Sequence, residues 1–470
     1  MLFQTLRAGF PADLARPAIE RRDAPPVSYG DLIARSGGIA AALSAAGLTP
    51  GDRVLASVDK SVEALLLYLA ALRAGLVYVP VNPGATAREL AHFTADAAPR
   101  LVVDADALAR LAAAPPAPDF ADAARGPDDL AALLYTSGTT GAPKGAMLSH
   151  RNLAANAQTL TAAWAFTPAD RLIHALPIFH VHGLFVATHC VLGAGARMLW
   201  LPGFDADAVL AELPRSTVLM GVPTFYTRLL ARPELTAERC AGMRLFVSGS
   251  APLPGEVHRA FQARTGHAIL ERYGMTETGM LASNPLAGPR VPGKVGPPLP
   301  GVDLRISGAD ADGIGAVEVR GDNVFRGYWQ APEKTADAFT ADGWFVTGDL
   351  GRIDGAGYLE LAGRAKDLII SGGLNVYPAE VEAVFEALPD VGEVAVIGVP
   401  HPDFGEAVVA VLAARPGARL DAEAVADAAR AELAAYKRPK HLALVDALPR
   451  NAMGKIEKAT LRQRFAGLFG

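Results

Sequence analysis

Between Asp52 and Ala105, short apolar runs and helical stretches take turns, and this alternation restricts the fold more than any other feature of the chain. DRVLAS (52–57) reads as a strand, SVEALLLYLAALRAG (61–75) as an amphipathic helix stopped at a glycine, and VYVPVNP (77–83) as a buried strand closed by proline. ARELAHFTADA (87–97) follows as a helix and LVVDA (101–105) as a strand. Parallel strands need a crossover, so this order predicts a mostly parallel sheet with helices on its faces. At 470 residues, 51% of them hydrophobic, the chain can fill a large core and exceeds one small module.

The Ala/Pro-rich stretch from Ala105 to Asp128 has no sharp period and predicts a surface connection. The pattern resumes with LLYTS (133–137), a Gly/Thr-rich loop, a helix from about Ser149, the strand RLIHALP (171–177) and a helix from Gly183 to Leu192. RMLWLP, STVLMGVP and MRLFVSGSAPLP add strands. Past Pro292 the texture changes to short strands punctuated by glycine (VDLRIS, GAVEVRG, GWFVTGDLG), which predicts a small β subdomain over about 292–365. PAEVEAVFEAL and DAEAVADAARAEL read as helices between the strands VGEVAVIGVP, EAVVAVLAAR and HLALVDALP. The expected fold class is therefore α/β. A large multi-subdomain body of mixed and parallel sheets flanked by helices covers 1–365, and a small mobile α+β C-terminal domain covers 366–470.

Charge and cysteine content narrow the function. Lys and Arg number 44 against 49 Asp and Glu, a net −5; anionic ligands must then be met by a few placed groups, and neither nucleic acid nor a membrane is expected as a partner. Cys190 and Cys240 have no metal-ligand or disulfide spacing, which fits a reducing compartment. The N-terminal MLFQTLRAGFPADLARPAIE lacks an apolar signal core, so a soluble, cytoplasmic protein is expected. A monomer or homodimer is compatible with all of this.

Residues 135–145, YTSGTTGAPKG, carry the most chemistry. Their glycines let successive N–H groups converge, Thr136, Ser137, Thr139 and Thr140 add hydroxyls, and Lys144 adds a charge, which together make an anion cradle. The segment departs from the GxxxxGK[ST] phosphate loop, because Pro143 precedes the lysine and Gly145 follows it. The plain alternative is a flexible Gly/Thr turn.

With ERYGMTE (271–277), TGDLG (347–351), GRAKDLIISGG (363–373) and PRNAMGK (449–455), that segment resembles the ordered motif series of the adenylate-forming superfamily. LPIFHVHGLFVATHCVLGAGARM, MGVPTFYTRLL and ERYGMTETGMLASNP make the chain most similar to its malonyl-CoA synthetases. The resemblance implies ATP-dependent activation of a carboxylate to an acyl-adenylate, release of pyrophosphate, and capture of the acyl group by coenzyme A. It further implies that Thr136, Ser137, Gly138, Thr139, Thr140 and Lys144 hold the β- and γ-phosphates, that Thr276 meets the α-phosphate, and that Glu277, with Thr139, holds Mg²⁺. Tyr273 and Gly274 would pack on adenine opposite Ser250, Ala251 and Pro252. Asp349, with Arg364 in support, would accept the ribose hydroxyls, as an ionised carboxylate can. Lys455 becomes the expected catalyst of adenylation and Lys458 a solvating neighbour. Lys366 is the expected hinge, and Gly372, Gly373 and Lys437, with Arg438 and Lys440, are expected to meet coenzyme A.

A malonate enzyme needs a short pocket ending in a cation. His180, His182, Thr224 and Ser250 are expected near the acid, and Arg290 is the first candidate for the distal carboxylate, ahead of Arg244 and Arg272, because a guanidinium holds a carboxylate bidentately. Methylmalonate is an expected second substrate. The alternatives are a synthetase for another short or medium acid, an aminoacyl adenylation module, and a non-catalytic adenylate sensor.

Overall fold

The computed structural model describes residues 1–136, 143–451 and 454–469. Among these residues the strands form four sheets. The alternation after Asp52 folds into strands Arg53–Ser57, Val77–Val81 and Leu101–Val103 with helices Val62–Arg73 and Ala87–Ala97 between them. All three strands run parallel, and Leu130–Thr136 joins Val77–Val81 in the same sense. Ser61 and Thr86 cap the two helices by accepting the N3 amides, and the Glu89 carboxylate returns a bond to the Thr86 amide, so the starts of both helices are written in the sequence.

The larger sheet has eight strands, in the order 279–283, 270–275, 245–248, 218–221, 171–174, 197–200, 17–21, 24–28. Its middle is parallel and its two outermost pairs are antiparallel. The expected β subdomain is a four-stranded antiparallel sheet of Val302–Ser307, Gly315–Gly321, Phe345–Ile353 and Leu359–Arg364. Beyond it, the long hairpin Val391–His401/Gly405–Ala414 carries helices Pro378–Glu386 and Ala422–Glu432 on one face and helix Lys458–Phe465 on the other. Buried apolar residues from Leu2 to Leu359 form one continuous core with a smaller cluster beside it. Those from Ile369 onward form two clusters of their own.

Three expectations need correction. The stretch after Ala105 begins with a helix, Ala105–Ala112, capped by Asp104. Its remainder runs over the surface, as expected, and is pinned there: Asp122 pairs at 2.6 Å with the fully buried Arg73, which also donates to the Phe120 carbonyl. The expected helix after Gly183 is a wide π-helix over His182–Ala187 that tightens into an α-helix at Thr188–Gly193. Lastly, Lys144–Ser149 is a strand antiparallel to Leu130–Thr136, so the glycine-rich segment joins two strands of a hairpin rather than a strand to a helix. Ser137, Gly138, Thr139 and Thr140 lie outside the described residues.

Candidate functional site

Four neighbouring parallel strands, ending at Met275, Ser248, Gly221 and His174, bring their carboxyl ends to one edge of the large sheet. The chain leaving each one carries expected site residues: Thr276 and Glu277 after the first, Ser250–Pro252 after the second, Thr224 after the third, His180 and His182 after the fourth. An open α/β sheet gathers a ligand site at this edge because successive crossovers leave a crevice there.

At one end of the crevice stands Arg272. It is 3% exposed, its Nη2 donates to Ser250 Oγ at 3.4 Å, and its Nε has no hydrogen-bond partner among the described residues. No carboxylate pairs with it among the described residues, and burial lowers its pKa to about 9, so it is still a cation at neutral pH. The guanidinium lies flat against Gly249, where an added Cβ would come within 2.4 Å of Cζ. Ser250 holds a left-handed φ of +72°, a conformation that costs a non-glycine residue about 1–3 kcal/mol and is concentrated at functional sites. On the other side of Ser250 Oγ, at 3.4 Å, is His182 Nδ1. Burial pushes the His182 pKa well down, with Arg272 adding to the effect, and burial takes His180 down to about 4; both imidazoles are neutral at neutral pH. Glu271, which precedes Arg272 on the strand, accepts a hydrogen bond from the Leu253 amide at 3.0 Å and so ties down the turn that holds Ser250–Pro252. Its other oxygen is buried with no hydrogen-bond partner among the described residues, and burial pushes its carboxyl up to about 8.

The other end is built from the β subdomain. Asp349 accepts from the Tyr273 hydroxyl at 2.5 Å and pairs with Arg364 Nε at 2.7 Å. Burial raises the Asp349 pKa while Arg364 opposes the rise. Glu277, 7% exposed, accepts from the Tyr328 hydroxyl at 3.1 Å. Burial raises its pKa as well. The ring face of Tyr328 carries Lys144 Nζ at 4.9 Å from its centroid. Sequence reasoning missed Tyr328. It lies in a Gly-Tyr-Trp segment that bonds along the strand Lys144–Ser149 through Trp329 N to Gly145 O at 2.7 Å, and an aromatic pair behind a glycine was the available signal.

Lys455 closes the crevice from the C-terminal domain. The turn that carries it is fixed by Asn451, whose Oδ1 accepts from the Lys455 amide at 3.0 Å, and by Arg450, which donates to the Gly454 carbonyl and pairs with Glu393 at 2.6 Å. The Lys455 side chain is exposed to solvent, yet the charges of both ends of the crevice act on it. Burial lowers its pKa and Arg364 and Arg272 lower it further, while Asp349 and Glu277 oppose them. One ammonium thus feels both ends of the crevice.

Several expected residues are engaged elsewhere. Arg290 spends its guanidinium on the backbone carbonyls of Ala268 (2.6 Å), Leu286 (3.0 Å) and Pro285 (3.4 Å), which corrects its expected role as a carboxylate anchor. Arg244 is paired with Asp170 at 2.6 Å. Arg272 is the candidate left without a carboxylate among the described residues. Lys437 pairs with Glu380, Arg438 donates to the carbonyls of Leu433 and Arg430, and Lys440 sits over the Phe404 ring. Lys458 is no mere solvating lysine; it pairs with Glu382 at 2.6 Å. Gly372 and Gly373 form a hairpin turn with φ of +59° and +78°, and Lys366 lies on a short 3₁₀ turn, Ala365–Asp367.

The chain belongs to the AMP-binding enzyme family: residues 12–329 match its main domain and residues 380–455 the AMP-binding enzyme C-terminal domain. The crystal structure of ATP-bound MatB from Rhodopseudomonas palustris is 50% identical and superposes with a TM-score of 0.96 over 100% of this chain and 99% of that one. A mitochondrial malonate–CoA ligase of Mus musculus is 42% identical over 371 residues, 70% of this chain and 64% of that enzyme. A sulfoacetate–CoA ligase of Cupriavidus necator is 38% identical over 93% of this chain and 92% of its own length. The chain spans less than two thirds of the length of the first curated relatives it matches, at 61%, 64% and 61%.

Proposed function

We propose that the protein is an AMP-forming acid–CoA ligase whose acid is malonate. Malonate and ATP would give malonyl-adenylate and pyrophosphate, and coenzyme A would then take the malonyl group and release AMP. The observation that carries the malonate reading is Arg272, a buried cation with no carboxylate partner among the described residues, set beside Ser250 and His182 and within electrostatic reach of Lys455. A buried charge left unpaired is costly, and the distal carboxylate of a short diacid would pair it. The malonate ligases among the relatives favour the same acid.

In the first step the near carboxylate oxygen attacks the α-phosphorus and the bond to pyrophosphate breaks. Two anions must approach, so charge neutralisation matters more than covalent assistance. Lys455 is suited to bridge the attacking oxygen and the α-phosphate, Thr276 to donate to that phosphate, and Lys144 to leave the Tyr328 face for the β- and γ-phosphates. Asp349, already holding Tyr273 and Arg364, keeps acceptor capacity for two ribose hydroxyls. Adenine would lie between Tyr273 and the turn Ser250–Pro252. Glu277 fits a Mg²⁺ role: its buried carboxylate makes no ion pair among the described residues, and Mg²⁺ is commonly bound by one carboxylate plus substrate phosphates. When bound, that ion would neutralise charge on the phosphates.

In the second step the thiolate of coenzyme A attacks the acyl carbon and AMP leaves. We assign this to a rotated C-terminal domain hinged at Lys366, which withdraws Lys455 and presents the Gly372–Gly373 turn. Lys437, Arg438 and Lys440 would have to give up their present partners to meet coenzyme A. The arrangement described here, with Lys455 in the crevice, suits the first step.

Sulfoacetate is the second reading, because it too carries an anion at each end and Arg272 would serve it equally. The test is pyrophosphate release with malonate, methylmalonate, sulfoacetate, acetate and butyrate, with and without coenzyme A. Malonate should exceed acetate by roughly 10⁴-fold if a buried polar partner is left unpaired by the shorter acid. Equal turnover of acetate and malonate would refute the reading.

A further inference from the structure

Lys60 lies on the turn after the strand Arg53–Ser57, in the smaller parallel sheet, yet its ammonium reaches across to the carboxyl end of the larger one. Nζ is 2.9 Å from His174 Nδ1, 2.7 Å from the His174 carbonyl and 4.5 Å from the centroid of the Trp200 ring. No carboxylate pairs with it among the described residues, and burial lowers its pKa well below that of a free lysine. An ammonium has three donors and no acceptor, and these three neighbours account for all of them.

His174 passes the contact on. Its Nε2 is 3.0 Å from the Gly183 carbonyl, which only accepts, so Nε2 carries the hydrogen. The imidazole is buried and its pKa pushed well down, so the ring is neutral and Nδ1 must accept from Lys60. The Gly183 carbonyl also receives the Thr188 amide, the i+5 bond of the wide turn, and the Thr188 hydroxyl at 2.9 Å. That turn opens at His182, whose ring faces Ser250. A Cβ at position 183 would sit 2.0 Å from the Pro177 carbonyl, so the backbone approach that permits it requires glycine. Wide turns of this kind recur at functional sites because the extra residue re-aims the side chains beside it.

We propose that Lys60 is a positioning residue for the acid end of the crevice: through His174 it holds the Gly183 carbonyl, and with it the wide turn that aims His182 at Ser250 and Arg272. The inference rests on reading that end as the acid pocket.

The test compares Lys60→Met, His174→Leu, the double variant and His174→Gln, which keeps a donor facing Gly183. KM for the best acid of the panel and KM for ATP are measured for each. Lys60→Met and His174→Leu should each raise the acid KM by roughly tenfold, the scale of one lost orienting hydrogen bond, and move the ATP KM less than twofold. The double variant should be no worse than either single one, because the two act in series. His174→Gln should stay within about threefold of the parent. An unchanged acid KM in Lys60→Met, additive losses, or a parallel rise in the ATP KM would overturn the proposal. Should Lys60→Met fail to fold, equal acid KM values for His174→Gln and His174→Leu would overturn it instead. Failure of malonate in the panel changes which acid is used but leaves the acid-to-ATP contrast readable, so the two readings can fail separately.

Discussion

The two ends of the crevice treat buried charge in opposite ways. At the ribose end Asp349 is buried but already held by Arg364 and Tyr273. At the other end Arg272 is buried and, among the described residues, has a serine hydroxyl at 3.4 Å as its hydrogen-bond partner and no carboxylate. A paired charge can be kept in place by the fold alone, whereas an unpaired one costs stability until its ligand arrives. On the proposed reading, the Asp349 end would be preorganised for a ligand common to a whole family, and the Arg272 end would store the selectivity.

Lys455 spans both ends, so its removal should do most. Lys455→Ala is expected to lower adenylate formation by about a thousandfold or more, the scale of losing one preorganised charge at a transition state, while malonyl transfer from supplied malonyl-adenylate stays near parental rate. Equal loss in both half-reactions, followed separately by pyrophosphate release and thioester formation, would remove the division of labour between the ends.

Arg272→Met breaks the contrast directly. Malonate kcat/KM should fall roughly 10³-fold or more, yet the unliganded protein should unfold at equal or higher urea, because replacing an unpaired buried charge with a hydrophobe is neutral or stabilising by about 1–4 kcal/mol. Asp349→Asn predicts the reverse balance. The ATP KM should rise by roughly tenfold from weakened ribose bonding, and stability should drop, because Arg364 loses its partner at a cost of about 1 kcal/mol for a half-exposed guanidinium.

Glu271 offers the smallest and most specific effect. Its folded pKa of about 8 lies above the ordinary value of 4.5, so the folded protein holds a proton that the unfolded chain releases between those two values. Stability from this group is therefore full below about pH 4.5 and is lost as the pH rises through 8. Glu271→Gln keeps the geometry of a protonated carboxyl and should flatten that slope. Urea midpoints at pH 5 and pH 8 whose difference matches that of the parent would show that Glu271 does not hold the proton.

Much of this was legible in the sequence, and what was not has local causes. Strand and helix assignments after Asp52 held because apolar period and cap residues agreed; Ser61 and Thr86 mark helix starts that the structure reproduces. Site residues from His180 to Glu277 converge because successive parallel strands end on one edge, while Asp349 and Arg364 come from the antiparallel subdomain and Lys455 from the C-terminal region. The choice among Arg290, Arg244 and Arg272 was not legible, since all three are arginines next to glycine-rich or strand segments and only burial and partners separate them. Arg290 serves backbone carbonyls that a sequence cannot display. The wide turn at His182 escaped notice for a related reason: its periodicity is helical, and the extra residue shows only in which amide meets the Gly183 carbonyl. Tyr328 was hidden by lying 51 residues from Glu277, whose oxygen it holds.

The turn bearing Lys455 is stapled on both sides. Arg450 bridges Ile456, the Glu457 amide donates to the Pro449 carbonyl at 2.8 Å, and a few residues on Leu461 is wedged, fully buried, among Ile397, Val399 and Val411. The backbone that carries the lysine is thereby tied to its own domain. On the proposed reading, a swing of that domain for thioester formation would carry the lysine away like a key fixed to the door it opens: the charge that would favour the return of pyrophosphate would be withdrawn in the same motion, and the two half-reactions would take turns.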